Sequence, residues 1–256
     1  MTDGSIVRID GPVARVDLAE PHRGSPLSLE TVARLADGVG SAEAADCRIV
    51  VISSTGRAFS VGGDIKAFAA APDPGAYIDE LAQALHDVIL RLHGMDAIVV
   101  SLVKGVAAGA GFPLAAAADL VLASDSATFT LAYNKIGLTP DGGSSLLTST
   151  LGLHRTMYLA LLNPLMTAAQ AHQAGLVSAV YPDEEFDSEV QHVIDTLAAG
   201  SRSAQVATKR LLRHRATGDA EHDLDLERRT ISAAANSPDG HEGVRAFLAK
   251  RAPEFR

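Results

Sequence analysis

The chain has 256 residues, 47% of them hydrophobic, with 22 lysines and arginines against 31 aspartates and glutamates and a formal net charge of −9. That length and apolar content can bury a substantial core, while the acidic balance and the lack of a long basic block argue against nucleic acid or an anionic membrane as the main partner. A single cysteine, Cys47, forbids an intrachain disulfide and suits a reducing compartment; with no apolar run of ~18 residues and no signal-like N-terminus, the expectation is a soluble cytoplasmic protein.

In chain order, Ile6–Ile9 and Val13–Leu18 alternate apolar and polar residues around Asp10-Gly11, which predicts a hairpin. After a loop with Pro21, Gly24 and Pro26, Ser28 starts a helix to about Val39, with Leu29, Val32, Ala33 and Leu35 on its apolar face. Arg48–Ser53 is strand-like and leads into GRAFSVGGDIKAF, residues 56–68, where Gly62-Gly63 makes a turn and Asp64 caps a helix. Two prolines and a glycine in Ala69–Tyr77 interrupt that helix. Tyr77–Leu92 then repeats apolar residues at helical spacing, with His86 beside the stripe.

Ile98–Val103 is a second strand, followed by KGVAAGAGFPL, residues 104–114, and an alanine-rich run. Gly105, Gly109 and Gly111 allow close approach to the backbone, and the first N–H groups of the following helix have no partner within it. Alone, this turn suits either a small-residue helix packed on a sheet or half of an oxyanion-binding pair. With the Gly62-Gly63 turn, two N–H donors could converge on one carbonyl oxygen.

These residues carry a resemblance to the enoyl-CoA hydratase/isomerase (crotonase) superfamily. The first turn matches F-[SC]-x-G-x-D-[IL], and the second matches N-G-x-x-x-G-[GA]-G with Lys104 in place of Asn. Ala118-Asp119-Leu120, Phe129–Gly143, Leu165–Val180 and Glu242–Arg251 extend the match over nearly the whole chain. The resemblance implies an α/β fold: a ββα spiral core over residues 1–198 that binds acyl-CoA, and a C-terminal helical region over 199–256 that assembles trimers or dimers of trimers. It implies a coenzyme A thioester as substrate and no other cofactor or metal, with the N–H groups of Gly63 and Ala110 on the thioester oxygen. It further places Arg23, Asp64, Ile65, Lys66, Phe247 and Lys250 along coenzyme A, Arg23 near the nucleotide end, although the usual Asn of that loop is Ser25 here. A solvated loop arginine and a solvated surface lysine explain Arg23 and Lys250 equally well.

The chain departs from the family at the two glutamates with which hydratases activate water, since the matched positions are Pro113 and Tyr133. Neither is a carboxylate base. Asp141, in GLTPDGG, matches the single catalytic acid of several isomerases, yet it also suits the N-cap of a helix over Ser144–Leu151. An allylic double-bond shift needs one base and an oxyanion hole, and an exposed aspartate is a weak base, so this reading requires Asp141 behind apolar walls. Phe68, Phe129, Leu131, Ile136 and Leu138 are candidate walls, and Tyr133 could line the pocket or donate to it. His86 matches the catalytic histidine of the aromatic acyl-CoA dehalogenases; a packed or hydrogen-bonded histidine is the alternative.

Helical signals continue over Arg155–Leu162, Ala168–Gly175, Glu184–Ala198, Ser203–Arg215, Ala220–Asn236 and Gly240–Arg251, with a short strand at Leu176–Val180. The sequence thus points first to an acyl-CoA isomerase. A hydrolase or dehalogenase-like enzyme using Asp141 and His86, a hydratase, and a non-catalytic acyl-CoA-binding protein are the alternatives.

Overall fold

The computed structural model describes residues 7–217 and 220–254, with the backbone alone at 214, 215, 217 and 220–223. Val7–Asp10 (β1) and Val13–Asp17 (β2) form the antiparallel hairpin, and Ile6 lies outside the described residues. Ser28 caps α1 (Leu29–Ala44): its Oγ accepts from the Thr31 N–H at 3.2 Å, and its own N–H donates to Thr31 Oγ1 at 2.7 Å. The helix runs past Val39 because Gly40 marks a close approach and not an end. A Cβ there would lie 3.1 Å from the guanidinium of Arg91.

One unit then recurs: a strand in a first sheet, a short strand in a second, and a helix or helical turn. Ile49–Ser53 (β3) and Ala58–Ser60 (β4) lead to α2 (Ile65–Ala70) and α3 (Pro74–Gly94). Ile98–Val103 (β5) and Val106–Ala108 (β6) lead to α4 (Gly111–Ala116), and Leu120–Ser124 (β7) and Thr128–Thr130 (β8) lead to a 3₁₀ turn at Tyr133–Ile136. Asp73 and Pro74 start α3 three residues earlier than the periodicity suggests, so the break between α2 and α3 is only Ala71–Asp73. The larger sheet has the order β1-β2-β3-β5-β7, parallel from β2 onward. The smaller begins β4-β6-β8, also parallel.

A 3₁₀ turn at Ser144–Leu146 continues as α5 (Leu147–Leu151) and α6 (Leu153–Leu162). Met166–Thr167 (β9) joins the smaller sheet antiparallel to β8, and α7 (Ala168–Gln173) follows. Ala179–Tyr181 (β10) joins the larger sheet beside β7, later than Leu176 because the N–H groups of Leu176 and Val177 still bond Ala171 at the end of α7. The chain closes with α8 (Phe186–Ala199), α9 (Arg202–Thr217), α10 (Ala220–Ala235) and α11 (Pro238–Leu248). The last helix stops short of Arg251, since Lys250 takes φ 54°.

β3 shows why its run of apolar residues is a strand buried on both faces. Val50 and Ile52 join the main core under α1 and α3, while Ile49 and Val51 pack against Phe186, Val190 and Ile194 of α8. Of the C-terminal apolar residues, Leu224 and Ile231 are buried in the main core, whereas Leu211 and Leu226 are exposed.

α9 is fastened to this core by charge. The Lys209 ammonium, 5% exposed, donates to the carbonyls of Leu92 and Ala97 at 2.7 and 2.8 Å and pairs with Asp119 at 2.9 Å. Asp119 also accepts from Arg213 and from the Val99 N–H. Each charge is compensated, which a buried ion requires. His93 lies in the same region, and burial, then the Arg213 charge, pushes its pKa from 6.5 down to about 3. The unfolded chain therefore binds a proton between those values that the folded chain refuses, so stability falls as pH falls from 6.5 toward 3. The thermal midpoint of the protein is expected to drop over that range, and His93→Gln to flatten the drop, as measured by calorimetry against pH.

Candidate active site

The two glycine turns meet backbone to backbone. Gly62 takes φ 84° and Gly109 φ 52°, and a Cβ on Gly62 would lie 2.7 Å from the Ala108 carbonyl oxygen and 3.0 Å from the Gly109 Cα. Ser60 braces the first turn: its Oγ donates to the Ser25 carbonyl at 2.7 Å and accepts from the Gly62 N–H at 3.1 Å. Leu27 bonds on either side of Gly63, donating to Gly62 O and accepting from the Asp64 N–H, both at 2.8 Å. Asp64 caps α2 as expected, accepting from the Lys66 and Ala67 N–H groups.

Between the turns and α3 lies an apolar cavity of about 280 Å³, with Leu27, Ile65, Leu81, Leu131, Leu138 and Ile231 in its walls. Gly63 and Ala110 both line it, and neither N–H donates to an acceptor among the described residues. Each unmade bond forgoes about 1 kcal/mol of stability. Two such donors at one cavity are the arrangement that would hold charge on a bound oxygen.

Asp141 also lines this cavity and is 5% exposed. It does not cap the helix after it. The 3₁₀ turn has Gly143 at its N-cap, with no side chain to offer, and the N–H groups of Gly143, Ser144 and Ser145 instead donate to Glu227 of α10. The cap therefore comes from the far end of the chain, which leaves the Asp141 carboxylate to the cavity. The loop is held by its backbone: Tyr133 Oη and Ser144 Oγ donate to the Asp141 carbonyl at 3.0 and 2.7 Å. Burial, then the Asp141 charge, holds the Tyr133 hydroxyl well above its usual pKa, so it serves as a neutral donor.

His86 is 2% exposed, and its Nε2 lies 2.9 Å from Asp141 Oδ1 and 3.9 Å from Glu227 Oε2. The first approach lacks the alignment of a hydrogen bond. Burial, then the Asp141 charge, raises the Glu227 pKa, and hydrogen bonds from Ser145 and from the Gly143 N–H oppose that rise only in part. Three charge-assisted bonds of about 1.5–3 kcal/mol each are set against several kcal/mol for burying the charge. His86, Asp141 and Glu227 could each offer one metal-ligating atom, all within 4.8 Å of one another. Both Glu227 oxygens already accept N–H bonds, which favours hydrogen bonding over metal holding.

The remaining expected residues divide. Tyr133, Ile65 and Phe247 line the cavity, whereas Phe68 and Phe129 are buried outside its lining. Arg23 pairs with Glu20 and with Asp64, at 2.5 and 2.7 Å, and Lys66 and Lys250 are exposed. Pro113 lies away from the cavity, in a separate void of about 40 Å³ beside His93. Sequence reasoning missed Glu227, which sits in the charged stretch DLDLERR and gives no local signal, and Arg251, which lines the cavity while forked onto Glu242 at 2.6 and 2.9 Å.

Comparison with known proteins agrees with this architecture. The profile described as Enoyl-CoA hydratase/isomerase matches residues 8–256. The chain is 34% identical to 1,2-epoxyphenylacetyl-CoA isomerase of Escherichia coli (strain K12), covering 100% of this chain and 99% of that protein. It is 30% identical to trans-2-decenoyl-[acyl-carrier-protein] isomerase of Streptococcus mutans, covering 98% and 97%. Its fold is similar to the crystal structure of an enoyl-CoA hydratase from Mycobacterium avium subsp. paratuberculosis K-10, with a TM-score of 0.89, 34% identity, and 98% and 97% of the two chains covered. The chain belongs to the enoyl-CoA hydratase/isomerase family and is an acyl-CoA enzyme of it. Among the described residues no helix is long and apolar enough to cross a membrane.

Substituting Gly62 tests the contact between the turns. Gly11→Ala meets nothing within 4 Å and carries only the strain of φ 53°, about 1–2 kcal/mol, or about 2–4 °C in thermal midpoint per kcal/mol. Gly62→Ala adds the clash with Ala108 and is expected to lower the midpoint further and cut turnover at least ~10-fold, as read by calorimetry and an acyl-CoA assay.

Proposed function

We propose that this enzyme is an acyl-CoA isomerase that shifts the double bond of an enoyl thioester, or rearranges a ring-epoxide phenylacetyl thioester, with Asp141 as proton shuttle. The observation that carries this reading is one apolar cavity shared by two backbone N–H groups without acceptors and a buried carboxylate. Proline and tyrosine at the matched hydratase positions support it, as do the two relatives whose names describe isomerases.

In the double-bond shift, the Asp141 carboxylate removes a proton from C2 of a 3-enoyl thioester. The freed electron pair forms a C1–C2 double bond and the thioester oxygen becomes negative, held by the N–H groups of Gly63 and Ala110. The oxygen's electrons then restore the carbonyl, C2 and C3 become doubly bonded, and C4 takes the proton back from Asp141. The enzyme returns to its starting state. Apolar walls and the absence of the two hydratase acids keep water from being activated against C3.

Coenzyme A is assigned to Arg23, Asp64, Ile65 and Lys66 on one side and Phe247 and Lys250 on the other. The Arg23–Asp64 pair fixes the entry loop against α2, and the exposed ammonium of Lys250 can meet phosphate as a point charge. The approach of His86 to Asp141 favours one second reading, an acyl-CoA hydrolase or dehalogenase-like enzyme in which Asp141 attacks as nucleophile or activates water and His86 is the base.

Incubation with 3-enoyl-, 2-enoyl- and ring-epoxide phenylacetyl-CoA in deuterated water, followed by mass spectrometry, separates these readings. Migration or ring expansion without water addition, falling at least ~10²-fold in Asp141→Asn while acyl-CoA still binds, is the expected outcome. Free coenzyme A among the products would establish the hydrolase, hydration unaffected by the variant would sink the isomerase, and binding without turnover would identify a binding protein.

We further propose that copies assemble as a trimer or dimer of trimers. The support is apolar surface left on α6, α9 and α10, where Leu153, Tyr158, Leu161, Leu162, Leu211 and Leu226 are all more than half exposed. Sedimentation equilibrium is expected to give three or six times the 26.6 kDa chain mass, and a monomer would refute the assembly.

A further inference from the structure

Resting on the isomerase reading, we infer that Glu227 is a positioning residue: its carboxylate sets where Asp141 stands relative to the Ala110 N–H. Within the loop Pro140–Ser145 the Ser144 hydroxyl ties the Asp141 carbonyl, but Gly142 and Gly143 lie in succession at φ 69° and 90° and no side chain of the loop caps the turn that follows. Glu227 supplies that missing constraint from α10. It accepts the N–H groups of Gly143 at 2.8 Å, Ser144 at 3.2 Å and Ser145, gathering three consecutive backbone groups onto one buried carboxylate.

The loop so held is pressed on the oxyanion turn. A Cβ on Gly142 would lie 3.0 Å from Ala110 Cβ and 3.2 Å from Leu85 Cδ2, so a shift of the loop changes the distance between the carboxylate of Asp141 and the N–H of Ala110 directly. A Cβ on Gly143 would meet Ile89 of α3 at 3.3 Å and Leu224 of α10 at 3.8 Å, so α10 confines the loop by packing as well as by hydrogen bonds.

Capping alone does not account for an acid at this place. A buried carboxylate is a costly cap, as its raised pKa records, and a serine or aspartate within the loop would serve more cheaply. Glu227 also brings a second carboxylate to within 3.9 Å of the His86 nitrogen that approaches Asp141, so the three side chains are close neighbours although no hydrogen bond joins the imidazole to either acid. Neither Glu227 nor His86 is among the residues lining the cavity that holds Gly63, Ala110 and Asp141, so Glu227 acts on substrate through Asp141.

The test is steady-state kinetics of Glu227→Gln and Glu227→Asp with whichever acyl-CoA the wild-type enzyme turns over, together with amide hydrogen exchange across residues 140–146. Glu227→Gln keeps the shape and loses the charge and part of the acceptor capacity; a fall in kcat of at least tenfold with KM within threefold, and faster exchange at Gly143–Ser145, is expected. Glu227→Asp keeps the charge on a shorter arm and is expected to recover part of kcat, which also reads the proposal if the glutamine variant fails to fold. In the Asp141→Asn background, Glu227→Gln should cost less than threefold more, because its effect passes through Asp141. Wild-type kcat in a folded Glu227→Gln enzyme, a loss confined to KM, or full additivity with Asp141→Asn would each overturn the inference and leave the isomerase standing. Undiminished turnover by Asp141→Asn alone would instead sink the isomerase reading.

Discussion

The contact between Gly62 and Gly109 is the constraint on which the rest of the site depends. Two strand-to-helix turns can place N–H groups at one cavity only if their backbones come within van der Waals contact, and a single Cβ on Gly62 would fill the gap between them. The parallel pairing of β4 with β6 brings the turns side by side, and Ser60, held to Ser25, keeps the first from retreating. The Asp141 loop is set against the second turn in the same way, through Gly142 on Ala110. Three segments far apart in sequence are thus registered by positions where a side chain is missing.

The buried charges follow a common rule and differ in what they achieve. Lys209 is surrounded by two carbonyl oxygens and Asp119, and the arrangement fastens α9 to the ends of α3 and β5. Glu227 is surrounded by three N–H groups and fastens a loop. In both, a charge buried at considerable desolvation cost gathers several backbone groups that no single neutral side chain could satisfy together. The difference lies in the neighbours: near Lys209 the surroundings are structural, whereas Glu227 stands beside the acid that we propose as base.

The C-terminal helices therefore belong to two stories at once. Leu211 and Leu226 stay exposed on them, but α10 also lies along α3 and contributes Leu224, Glu227 and Ile231 to the interior of the same chain. Phe247 and Arg251 close the cavity from the end of the chain, so the site draws on residues from 27 to 253. The cavity therefore takes its walls from the strand-and-helix units and the C-terminal helices alike.

Much was legible without coordinates. The hairpin, the Ser28 and Asp64 caps, both glycine turns and the amphipathic α3 depend on local rules, in which backbone sterics and periodicity act within a few residues. Helix ends were read less well: α1 runs past Val39 through Gly40, which packs on Arg91, and Leu176 looks like strand while its N–H still closes α7. Local sequence favoured Asp141 as a cap and the family resemblance favoured it as an acid; local rules cannot separate these, since the competitor for the cap, Glu227, comes from more than eighty residues away. What the sequence by itself determined was the inventory: two glycine turns, one candidate acid, and the missing hydratase glutamates. Only the tertiary structure decided that His86 meets Asp141 and that Glu227 holds its loop, because such contacts depend on how α3 and α10 pack across the fold, which the local pattern of neither helix encodes.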